Sequence, residues 1–206
     1  MSAHASGIWR ALGGAIWVAL ALGGAVYSTR AAWAAWLYAE AKYDEPKRDC
    51  EQVVALCGRA YPFYPHNYFF SIIAAEGAYY HAQELPEAQR AGLLRAARLW
   101  CARGVAQNPW DSQLCRLKSR FLWEDSPARA IEYWKARTEW QFWEPYNHAV
   151  LADMYARVGR FDEASESLYW AQGADDYAAV RGRVLREEEL RAVAATKAEL
   201  MEDWGE

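Results

Sequence analysis

From residue 31 onward the apolar residues recur at helical spacing, and one helix–turn–helix pattern returns at a fixed interval. That combination leaves little room for any architecture but stacked helix pairs. The clearest copy runs from Pro145 to Asp176. Leu151, Ala152 and Tyr155 share one face of a first helix, Gly159-Arg160 supplies a turn, and Phe161, Ala164, Leu168 and Ala171 face back from a second. Stepping back 34 residues places Ala130 where Ala164 stands, Phe121 where Tyr155 stands and Trp134 where Leu168 stands, with Ser126-Pro127 opening the second helix.

This pattern of small and aromatic residues resembles the tetratricopeptide repeat, a 34-residue helix–turn–helix unit. Earlier copies are more degenerate. Ala97, Cys101, Gly104 and Pro109 mark one, with helices expected over 68–83 and 87–107, and Cys50, Val54, Cys57 and Pro62 mark another. Lys118 and Arg137 depart from the pattern, standing where small residues are expected. The resemblance covers about residues 31–178 and implies an all-α solenoid of about four helix pairs. One such pair cannot bury both of its apolar faces, whereas neighbours in a stack share a core. A last amphipathic stretch, 179–206, with Leu190, Val193, Ala194, Lys197, Leu200 and Met201 at helical spacing, is expected to cap the stack.

The first 30 residues are different in kind. Ala11 to Thr29 is a run of nineteen residues without a charge, which spans about 28 Å as a helix and so nearly matches the hydrocarbon core of a bilayer. Trp9 and Tyr27 lie at its ends, with Trp33 and Trp36 beyond, as residues that favour the headgroup region would. The run is read as a single membrane span contacting lipid through residues 11–29. A cleaved signal peptide is the alternative, since Arg10 makes a basic start and Gly23 and Ala25 are small, but the run is longer than the usual h-region. Orientation signals conflict. Arg30, Lys42, Lys47 and Arg48 argue for a cytoplasmic repeat domain, whereas the export-like start argues for an extracytoplasmic, periplasmic one. The second is preferred.

Composition narrows the partners. Lys plus Arg number 23 against 27 Asp plus Glu, a net charge of −4, and no dense basic run exists to neutralise phosphates, so nucleic acid is not expected. The 12 Trp, 13 Tyr and 6 Phe exceed what a soluble core requires and fit protein or membrane interfaces. Trp140, Phe142 and Trp143, next to Pro145-Tyr146, form an aromatic patch divided between packing and binding roles.

Signals for chemistry are missing. His4, His66, His81 and His148 are dispersed, and no glycine-rich phosphate loop or nucleophile elbow occurs. Acidic pairs such as Glu124-Asp125 and Asp162-Glu163 fall at helix starts and turns. No enzymatic activity, cofactor, metal or small-molecule substrate is therefore expected. Cys50 and Cys57 lie about 10 Å apart along one helix, too far for a disulfide. Cys101 and Cys115 flank the Asn108-Pro109 turn and would come within bonding reach in an oxidising compartment.

The repeat resemblance implies that ligands occupy a groove lined by first helices. Carried over, the candidate positions are Tyr146, Asp153 and Arg157 in the last repeat and Ser112, Ser119 and Trp123 in the one before. The expected function is a membrane-anchored scaffold or adaptor holding other proteins, membrane proteins among them, as an accessory subunit or assembly factor of a larger membrane or envelope complex. A glycan-handling envelope protein and a soluble periplasmic repeat protein are the competing readings.

Overall fold

The computed structural model describes residues 3–43 and 49–203. The side chains of 3–11, 43 and 198–203 lie outside that description, so the expectations placed on Trp9, Arg10, Lys47, Arg48, Leu200 and Met201 fall outside the described residues. The described residues form helices only: α1 (Ala3–Tyr43), α2 (Cys50–Ala60), α3 (Phe69–Glu84), α4 (Glu87–Gln107), α5 (Ser112–Asp125), α6 (Pro127–Trp140), α7 (Pro145–Arg157), α8 (Phe161–Trp170) and α9 (Tyr177–Asp203). They divide into two compact units, Met1–Lys118 and Ser119–Glu206.

In the first unit, α1 is a single helix across the boundary at 30/31. No proline lies within it, and its Gly pairs are not enough to break it. By length and composition, the helical segment Leu12–Lys42 is able to cross a membrane: its most apolar 18-residue stretch has a mean hydropathy of 1.5, and none of that stretch is buried. The same helix then changes role. Ala34, Leu37 and Ala41 are fully or almost fully buried at one-face spacing, and α1 packs on α2, α2 on α3 and α3 on α4.

Local chemistry sets these ends. The Asp49 carboxylate accepts from the Glu51 amide at 2.8 Å to cap α2, and Asp111 accepts from the Leu114 amide at 2.9 Å at the start of α5. Gly104 on α4 is required by close approach, because a Cβ there would lie 2.7 Å from the Leu114 side chain and 2.9 Å from Ser71 Cβ.

In the second unit, Pro127 and Pro145 occupy the first turns of α6 and α7, where a missing N–H costs nothing. Gly159 (φ 81°) and Gly173 (φ 103°) make the turns after α7 and α8 in the left-handed region. Trp134 is wholly buried and donates from Nε1 to the Asn147 carbonyl at 3.0 Å, joining α6 to α7. The Arg137 guanidinium lies 5.6 Å over the Trp134 ring, so a long side chain occupies the position where the repeat pattern wants a small one.

α9 packs on α7 and α8. Among its described side chains the buried ones are Val180 and Val184, whereas Leu190 and Val193 are about 60% exposed (57% and 61%), and Ala194 and Lys197 are exposed. Among the described side chains, packing is thus done by the start of α9, and Leu190, Val193, Ala194 and Lys197 take no part in it. The reason is length: α9 has 27 residues and α7 has 13, so the second half of α9 outruns its partner.

Candidate functional site

The second unit gathers a connected row of side chains from three helices. At its centre the Asp153 carboxylate accepts from Arg157 Nε at 2.9 Å, one turn along α7, and from Arg183 Nε of α9 at 2.8 Å. Each carboxylate oxygen is used by a different arginine. The Arg157 guanidinium also lies 6.0 Å over the ring of Trp123 on α5. Asp153 is largely covered, its side chain 18% exposed, while those of Arg157 and Arg183 are 53% and 50% exposed. Two guanidiniums therefore share one carboxylate, and the trio carries a surplus positive charge with donors turned to solvent.

Arg191 of α9 holds the end of this row. Its Nη2 donates to the Arg157 carbonyl at 2.6 Å, at the last turn of α7, and its guanidinium lies 5.8 Å over Phe161. A cation belongs there, where unpaired carbonyls make the helix terminus negative.

The sequence-derived groove positions fare unequally. Trp123, Asp153 and Arg157 come together. Tyr146 is half-buried, its ring edge-on to Trp134 at 6.4 Å, so it faces α6. Ser119 is 3% exposed and lies in the interior. Ser112 is exposed at the first turn of α5 but belongs to the first unit. Arg183 was not identified from the sequence, because α9 was read only as a cap.

The aromatic patch is largely at the surface. Trp140, Phe142 and Trp143 are 70%, 60% and 68% exposed. Tyr169 and Trp170, which sequence reasoning missed, extend it from the end of α8 at 65% and 53%. His148 ties the two parts, its Nε2 2.6 Å from the Phe142 carbonyl and its ring 6.2 Å from Trp170. Residues 169 and 170 fall off the buried stripe of Ala164, Ser167 and Ala171, a signal that was readable in the sequence.

In the first unit the structure holds Cys101 and Cys115 as thiols and not as the disulfide considered above. Cys101 Sγ donates to the Leu114 carbonyl at 3.6 Å and Cys115 Sγ to the Pro109 carbonyl at 3.2 Å, so the sulfurs address different backbone groups. Burial pushes the Cys101 thiol up to about 12, which suppresses the reactive thiolate. Among the described residues, no group of three or more His, Cys, Asp or Glu is placed to hold a metal ion.

No protein-family model matches the chain, and no curated protein does. Among solved structures, the chain is similar to a thermophilic TPR protein in Thermus thermophilus, with a TM-score of 0.56 and 17% sequence identity over 73% of this chain and 79% of that one. The fold is tetratricopeptide-like.

Proposed function

We propose that this chain is a membrane-anchored, tetratricopeptide-like scaffold that binds other proteins as an accessory subunit or assembly factor of a larger membrane or envelope complex. The observation that carries the reading is α1, one unbroken helix with an apolar, exposed length at Leu12–Tyr27 and a buried repeat face at Ala34, Leu37 and Ala41. A bilayer covers the first, and the repeats use the second. The row of Trp123, Arg157 and Arg183 supplies the contact surface, and its surplus guanidinium donors suit carboxylates and carbonyls of a partner chain. The exposed cluster of Trp140, Phe142, Trp143, Tyr169 and Trp170 supplies a second contact of the kind that dominates interface energetics.

Affinity purification of the full-length protein after mild detergent extraction, read by mass spectrometry, tests the reading. Co-purifying membrane proteins are expected. The double variant Arg157→Ala/Arg183→Ala should lose them while keeping its helical circular dichroism, and full retention of every partner would remove the row from the reading. The repeats are assigned to the extracytoplasmic side on the export-like start at Arg10. Protease added to spheroplasts should then digest them, and protection would reverse the orientation.

A further inference from the structure

The connection between α2 and α3, residues 61–68, is unusually aromatic, YPFYPHNY, and continues into Phe69 and Phe70. It lies against α1 at the point where the apolar run ends. The Tyr64 ring meets the Tyr27 ring edge-on at 5.9 Å, and Arg30 donates from Nη2 to the Pro62 carbonyl at 2.7 Å. Tyr27 and Arg30 are separated by about 4.5 Å of helix rise. Those two contacts pin the loop at one depth along the helix, the depth at which hydrocarbon would give way to headgroups.

From this geometry we infer that the α2–α3 loop is a second membrane contact, seated in the headgroup layer beside the span with Phe63 directed into lipid. The inference rests on α1 crossing the bilayer. Phe63 is 39% exposed, and Trp33 and Trp36, their rings tilted at 36° with centroids 4.9 Å apart on α1, are 45% and 52% exposed. Tyr27, Tyr64 and Phe63, with Trp33 and Trp36 about 9 and 14 Å of helix rise further along α1, make an aromatic set of the composition that the interface favours.

Much of the loop backbone is bonded within the protein. The Tyr61 amide donates to the Cys57 carbonyl at 3.0 Å, and those of Phe63 and Tyr64 donate to the Ala60 carbonyl at 3.0 and 3.3 Å. The Asn67 amide donates to the Tyr64 carbonyl at 3.3 Å. Pro62 and Pro65 have no N–H to satisfy. On the acceptor side, Pro62 receives Arg30 and Pro65 receives the Gln107 amide group. Four of the loop's amides and the carbonyls of both its prolines are thus bonded within the protein, which lowers the cost of placing them in the interface.

The test places the photoreactive residue p-benzoylphenylalanine, one position at a time, in the full-length protein reconstituted into phosphatidylcholine–phosphatidylglycerol vesicles. Position 63 probes the loop and position 17 the span. Position 80, an exposed Tyr on α3 about 16 Å of helix rise beyond Phe69, serves as a remote control. After irradiation, the mass gain of one lipid is expected at 17 and 63 and not at 80. An adduct at 17 alone overturns the loop contact and leaves the span standing. No adduct at any position overturns the span and the loop together, and adducts at all three overturn a contact specific to the loop.

Discussion

The repeat alignment offers Asp153 as a groove candidate on α7, but it does not show the residue's partners, because half of its bonding comes from Arg183, 30 residues away. Local pattern reports which face a residue occupies, and it does not report which side chain from another element arrives there. Ser119 illustrates the converse, since the repeat alignment placed it in a groove whereas packing buried it. Two residues carry sharp predictions. Gly104→Ala should destabilise the protein by about 1–3 kcal/mol, because the new methyl meets Leu114 and Ser71. Gly92→Ala, with nothing within 4 Å of its Cβ, should stabilise α4 by up to about 1 kcal/mol. Urea midpoints of the two variants check the contrast. The second case is electrostatic: Arg160 donates to Glu163 Oε1 at 2.8 Å and holds that carboxyl below the usual carboxylate range. Whatever stability the pair supplies is present above the unfolded-state carboxylate pKa and is lost as pH falls through the lower folded value. Glu163→Gln should flatten that part of an acid titration of stability, and an unchanged slope would show the exposed pair to be idle.

At the scale of elements, part of the helix punctuation was readable because it is chemical: Pro127 and Pro145 start helices and Gly159 turns one, while the structure adds the turn at Gly173 and the caps at Asp49 and Asp111. What periodicity does not encode is the length of a partner. The stripe on α9 looked like a cap because its spacing is right, yet nothing as long as α9 lies beneath it. This separates two variants. Trp134→Ala should cost about 3–5 kcal/mol, since it empties the core between α6 and α7 and leaves the Asn147 carbonyl without its donor. Leu190→Ala should stay within about 0.5 kcal/mol, since its side chain is already in solvent. Thermal unfolding of both variants checks them, and a large loss at Leu190 would mean that the second half of α9 is covered in the native assembly.

For the whole molecule, the prediction concerns the anchor. A chain lacking residues 1–29 keeps Ala34, Leu37 and Ala41 for the first repeat and should leave the membrane fraction, whereas the full chain should resist carbonate extraction. The mature N-terminal mass decides between an anchor and a cleaved signal peptide. The sequence divided the chain at residue 30 because composition changes there, but a change of composition does not end a helix, and α1 continues unbroken through that point. The continuity has a mechanical consequence. Under the proposed anchoring, a bilayer whose hydrocarbon core is thinner than the roughly 28 Å apolar run would tilt the span. With no break between that run and the repeat face, the tilt would swing the first unit like the arm of a lever, and bilayer thickness would become an input to the angle at which the first repeats stand.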